Sequence, residues 1–151
     1  MSRIARALWL LASLASLACA TAYGEDELER RLARLGEATA ALRRPRVVAI
    51  HADSKVEALG LVAEARMNAD SPLSAMLARQ LAAAKRTRRD VVAGGPYPDL
   101  NDLVLSNALA LEAEGSLAGL TLLVASANPP SPQLAGAARR ARVHLLHRSF
   151  R

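Results

Sequence analysis

The sequence is poor in the residues that carry most recognisable chemistry. It has one cysteine, Cys19, and its aromatics are one tryptophan, two tyrosines and one phenylalanine in 151 residues. Proteins that hold single-stranded nucleic acid stack its bases on aromatic side chains, so this composition argues against a nucleic-acid partner. The GxGxxG and Walker phosphate motifs are absent, as is the GxSxG elbow of serine hydrolases. No internal repeat and no low-complexity linker divides the chain. Lysine is also scarce: apart from Lys55 and Lys85, every basic side chain other than histidine is an arginine. With so few aromatics, the core has to be built from Leu, Val and Ala.

What is present begins with an export signal. Arg3 and Arg6 precede an uncharged run from Ala7 to Ala18, "ALWLLASLASLA", which is followed by the small-residue sites Ala18-Cys19-Ala20 and Ala20-Thr21-Ala22. That order matches a secretory signal peptide over 1–22. A membrane anchor needs about 20 apolar residues, more than this run supplies. The expected location is outside the cytoplasm, with the periplasm favoured over secretion. Lipid anchoring at Cys19 is a weaker alternative, because Ser16 stands where lipoprotein signals carry leucine. Cleavage would remove Cys19 and Trp9 together. The mature chain would then have no disulfide or thiol chemistry, and its formal charge would fall from +6 to +4.

Helix and strand signals alternate through the rest. An amphipathic helix is expected over Glu25 to Arg44, with Leu28, Leu32, Leu35 and Leu42 on one stripe and Pro45 as its stop. "RVVAIHA" (Arg46 to Ala52) reads as a strand covered on both faces. Ser54 and Glu57 form a capping box for a helix to Met67, with Val56, Leu59 and Ala63 on one face. Ser71-Pro72 opens a helix to Arg86. A second strand spans Asp90 to Ala93. Asp99 is expected to cap a mostly apolar helix to Glu114, with Asp102 at its third position. "LTLLVA" (Leu120 to Ala125) is a third strand, Ser131-Pro132 opens a helix to Arg142, and Val143 to His147 is a fourth strand. The alternation predicts an α/β fold: one small, three-layer, Rossmann-like domain over 46–151. Its sheet would be mostly parallel, with about four strands and helices on both faces. The helix over 23–45 would either cover that sheet or pair with a partner or a second copy through its leucines.

Parallel strands all end at one edge, where ligands of open α/β sheets bind. The residues delivered there are His51, Asp53 and Ser54 after the first strand; Gly94, Gly95, Tyr97, Asp99 and Asn101 after the second; Ser126 and Asn128 after the third; and His147 and Arg148 after the fourth. The segment "GGPYPD" resembles a phosphate loop only superficially. Pro96 and Pro98 lack the N–H donors such a loop uses, and Asp99 would bring like charge to the helix start. A metal site is not expected, because His144 and His147 lie three apart on a strand and point to opposite faces. The expected ligand-binding residues are Gly94, Gly95, Tyr97, Asn101, Asn128 and His147, with no cofactor. His51, Asp53 and Asp99 are the candidates for acid–base catalysis.

The opposite edge collects Arg43, Arg44 and Arg46, then Lys85, Arg86, Arg88 and Arg89, then Arg139, Arg140 and Arg142. Cations at helix C-termini complement the helix dipole, which explains them plainly. An anionic envelope surface is the functional alternative. The chain is therefore expected to be a binding or accessory module, more an interaction protein than an enzyme, acting through its strand-end loops or this basic edge. A hydrolase-like enzyme built on His51, Asp53 and Asp99 is the second expectation. A structural partner protein docking through helix 25–44 is the third.

Overall fold

The structure is a computed structural model and describes residues 24–150. The export signal read over 1–22 lies outside the described residues. In chain order the elements are α1 (Glu25–Glu37), β1 (Arg46–Ala49), α2 (Lys55–Met67), α3 (Pro72–Arg86), β2 (Val91–Gly94), α4 (Pro98–Leu111), β3 (Thr121–Ala125), α5 (Pro132–Ala141) and β4 (His144–Arg148). The four strands make one sheet in the order β1-β2-β3-β4. Every pairing is parallel, and Val48, Ala93, Val124 and His147 stand in register across it.

That strand order fixes the layers. Each crossover moves one strand in the same direction, and right-handed crossovers then put every connecting helix on one face. Strand side chains alternate accordingly. Val91, Ala93, Leu122 and Val124 face a core filled by Leu77, Leu81, Leu100, Leu105 and Leu134 from the connecting helices. Val92, Leu123 and Ala125 face the other way, against Leu28 and Leu32 of α1. The sheet thus has helices on both faces; among the described residues, four lie on one side and only α1 on the other. Each fully buried leucine contributes about 1.5–3 kcal/mol. Because the strand order never reverses, the sheet also has no switch-point crevice of the kind dinucleotide-binding folds use.

Three local expectations change. α1 stops at Glu37, well short of Arg44. A Cβ on Gly36 would stand 2.9 Å from the Val92 side chain and 3.1 Å from the Pro45 ring, so this glycine lets the helix end close against the sheet. The chain then turns, with Thr39 Oγ1 donating to the Leu35 carbonyl at 2.8 Å. α2 presents its other face to the core. Ala58, Val62 and Ala65 are buried, whereas Val56 and Leu59 are 80% and 60% exposed. Small residues on the inner face let α2 sit close to α4, and Asn107 Nδ2 donates to the Ala65 carbonyl at 2.9 Å. α4 begins two residues earlier than expected, with Pro98 rather than Leu100 at its first position and Tyr97 before it.

The cap signals elsewhere act as the sequence suggests. Ser54 Oγ accepts the Glu57 N–H at 3.1 Å, and Glu57 reaches back to the Asp53 N–H at 2.5 Å. Ser71 and Ser131 cap α3 and α5, each followed by proline at the first helical position.

Candidate functional site

The paired glycines at the end of β2 are explained by close approach. A Cβ on Gly94 would stand 1.9 Å from the Ala125 carbonyl oxygen, and one on Gly95 would stand 2.0 Å from the Ile50 carbonyl oxygen. Neither glycine is among the left-handed residues. β2 is an inner strand, so its last residues are pressed between the ends of β1 and β3, and only hydrogen fits on each Cα.

This packing aims the next residues. Pro96 and Pro98 stiffen the corner, and α4 carries Asn101 back beneath it. Asn101 is fully buried. Its Nδ2 donates to the Gly95 carbonyl at 2.8 Å and lies 3.4 Å from Ser126 Oγ, at the end of β3. Its Oδ1 has no partner, the one such buried side-chain polar atom among the described residues. A buried polar group left unpaired costs about 1–3 kcal/mol, so one at the wall of a cleft marks a position of interest.

That cleft opens at the carboxyl edge, between the start of α4 and the β3–α5 loop. It has a volume of about 360 Å³ and takes Asp99, Asn101 and Asp102 from α4, then Ser126, Asn128 and Ser131 from the loop. Gln133 and Arg66 complete its polar lining. Its size falls within the range of small-ligand pockets. Asp102 holds the two walls together: its Oδ1 accepts the Ser131 N–H at 2.8 Å, and its Oδ2 accepts the Ser131 hydroxyl. Asp102 therefore does not cap its own helix. Asp99 does not either, since no side chain caps the α4 N-terminus. Contrary to expectation Asp99 is not the cap, because Pro98 occupies the first helical position and Asp99 falls within the first turn.

The structure distributes the remaining candidates. Asp99, Asn101 and Asn128 share the cleft. Tyr97 and Asp99 border a smaller apolar hollow of about 170 Å³ against Ala58, Leu59 and Val62 of α2. His51 Nδ1 lies 3.6 Å from Asp53 Oδ1, whose side chain is largely exposed, and neither residue lines the cleft. His147 Nε2 is 3.0 Å from the Ser126 carbonyl, which ties the edge strand β4 to the loop after β3. His144, three residues earlier, is exposed. No group of three or more His, Cys, Asp or Glu residues fit to hold a metal occurs among the described residues.

The sequence does not mark Arg66, Asp102, Ser131 or Gln133 as site residues. Ser131 reads only as a helix cap and Asp102 only as part of one. Arg66 and Gln133 lie on helices, where nothing local ties them to the strand ends.

We find no match between this chain and a protein-family model, a curated protein or a solved structure.

Proposed function

We propose that this protein is an exported binding module whose ligand sits in the carboxyl-edge cleft.

 
The observation that carries this is the fully buried Asn101 at the cleft wall, with an amide oxygen that no group of the protein satisfies. The lining supports a small polar ligand over an anion. Two carboxylates, Asp99 and Asp102, face one cation, Arg66, and the remaining polar groups are the amides of Asn101, Asn128 and Gln133 and the hydroxyls of Ser126 and Ser131. Amides and hydroxyls both donate and accept, which suits a ligand bearing hydroxyl or amide groups. Export to the periplasm rests on the 1–22 signal pattern.

The test is a thermal-shift screen of the purified protein with neutral polyols, sugars and amides. A ligand at a hundredfold its Kd stabilises by about 2.7 kcal/mol, a Tm rise on the order of 10 °C for a domain of this size. A ligand whose shift disappears in Asn128→Ala and Gln133→Ala supports the reading. A screen in which no neutral compound raises Tm counts against it. N-terminal sequencing of protein taken from the cell envelope checks export: a chain starting near Tyr23, with no tryptophan emission, is the expected result.

The hydrolase reading keeps one specific observation, the 3.6 Å approach of His51 to Asp53. It requires His51→Ala to abolish a hydrolytic activity that Asn128→Ala merely weakens.

A further inference from the structure

The opposite, amino edge of the sheet shows a second pattern. All four helix-to-strand connections contain a residue in the left-handed region. Arg44 (φ 43°) precedes β1, Arg88 (φ 54°) precedes β2, Gly119 (φ 84°) precedes β3 and Arg142 (φ 57°) precedes β4. Glycine adopts this conformation freely, whereas a side chain adopts it against a steric penalty. Gly119 shows that the fold accepts glycine at such a position, yet the other three connections carry arginine.

The helix dipole accounts for Lys85 and Arg86, which lie in the last turn of α3. It does not account for arginine in the strained position beyond the helix. Nor is the charge evenly spread. At the β4 end, Arg140 shares a hollow with Glu112 and Glu114. At the β1–β2 end, Arg43, Lys85, Arg88 and Arg89 surround a cleft of about 370 Å³ closed by Gly119 and Leu120, with no carboxylate in its lining. The nearby Asp90 is fully buried; its oxygens accept the Arg43 and Thr121 backbone N–H groups, and its Oδ2 also pairs with the Arg43 guanidinium at 3.4 Å.

Several of these cations are held in place. Arg43 Nη2 donates to the Gly119 carbonyl at 3.2 Å. Arg89 donates to the Arg44 and Pro45 carbonyls at 2.9 and 3.3 Å, and Lys85 Nζ donates to the Ala118 carbonyl. A guanidinium has five donors, so these bonds leave others unused. The Arg88 side chain is exposed and has no hydrogen-bond or ion-pair partner among the described residues.

We propose that the cleft between Arg43, Lys85, Arg88 and Arg89 binds a phosphoryl anion. Asp90 offsets the charge of Arg43, but Lys85, Arg88 and Arg89 face the same cleft with no carboxylate in its lining, and arginine forks match phosphate oxygens. The phosphoryl group can belong to a soluble phosphate compound or to an anionic lipid headgroup.

The experiment uses the purified protein and two probes. Inorganic pyrophosphate is titrated calorimetrically, and phosphatidylglycerol–phosphatidylethanolamine vesicles are compared with phosphatidylcholine vesicles by co-sedimentation. Arg88→Gly is the informative variant, because it removes a cation while relieving the left-handed strain. It is expected to keep or raise Tm and to weaken binding about fivefold, the effect of one cation near an anionic surface. Arg88→Asn, which tolerates the same conformation, is expected to do likewise. Arg139→Gln, at the far end of the edge, is the control and is expected to leave binding unchanged. Pyrophosphate binding without vesicle preference identifies a soluble ligand, and preference for the phosphatidylglycerol vesicles identifies a headgroup. The proposal is overturned if neither probe binds, if both Arg88 variants bind as the parent does, or if Arg139→Gln weakens binding as much as they do.

Discussion

One carboxylate oxygen of Asp90 accepts the backbone N–H of Arg43 at 2.7 Å, across 47 residues of sequence. The other accepts the Thr121 N–H at 3.0 Å. Asp90 thereby joins the loop before β1, the start of β2 and the start of β3. Burial pushes the Asp90 carboxyl up, and this is the largest single influence. The two backbone N–H groups and the Arg43 guanidinium together outweigh it and hold the group below its usual range. A depressed folded-state pKa gives stability that is fully present above the unfolded value, about 3.9, and lost as pH falls through the folded value. Asp90→Asn replaces one acceptor by a donor facing an N–H and is expected to cost about 1–3 kcal/mol at neutral pH. Urea unfolding at pH 7 and pH 3 checks this: the gap between parent and variant should narrow at the lower pH.

Gly94→Ala and Gly95→Ala are expected to be among the most damaging single-methyl additions in the protein. Each would drive a Cβ to about 2 Å from a backbone carbonyl of a neighbouring strand end. The sheet would have to open to accept it, at a cost of about 3 kcal/mol or more. Gly60→Ala is the matched opposite. A Cβ there meets nothing within 4 Å inside α2, so it should stabilise by about 0.5–1 kcal/mol. Chemical-denaturation midpoints for the three variants test both halves.

Local signals in the sequence were enough for the strands and for the serine caps, though not for the start of α4, where Asp99 does not cap. "RVVAIHA" and "LTLLVA" are uninterrupted apolar runs, and the Ser-Pro pairs at 71–72 and 131–132 supply both a cap acceptor and a fixed φ. The strand order was not legible, because the direction of each crossover is decided by packing between distant segments. The inner face of α2 was not legible either, since alanines on one side compete with Val56 and Leu59 on the other and hydrophobicity favours the wrong side. Asn101 stood out by its place after a strand. Arg66 and Gln133 reach the same cleft from helices, where sequence spacing carries no such hint.

The α2 assignment makes its own prediction. Leu59 is 60% exposed and Leu105 fully buried. Leu59→Gln should therefore change stability by no more than about 0.5 kcal/mol, while Leu105→Ala should cost about 2–5 kcal/mol. A comparable loss in Leu59→Gln would mean that the face carrying Val56 and Leu59 is buried after all.

The last prediction concerns α1, the only helix among the described residues on its face of the sheet. Leu28 and Leu32 are both fully buried, packed with Val92, Leu123 and Ala125. Pairing with another chain through these two leucines would require the helix to leave the sheet and expose that apolar patch to water. Burial against the sheet instead predicts that Leu32→Ala costs about 2–5 kcal/mol and leaves the oligomeric state unchanged. A helix serving chiefly as a docking arm predicts the reverse: little loss of stability, with dissociation of an assembly. Urea unfolding and light scattering on the same variant separate the two. Leu35 and Leu42 are only partly buried, so Leu35→Ala should fall between Leu32→Ala and a surface change if the sheet is what this helix covers.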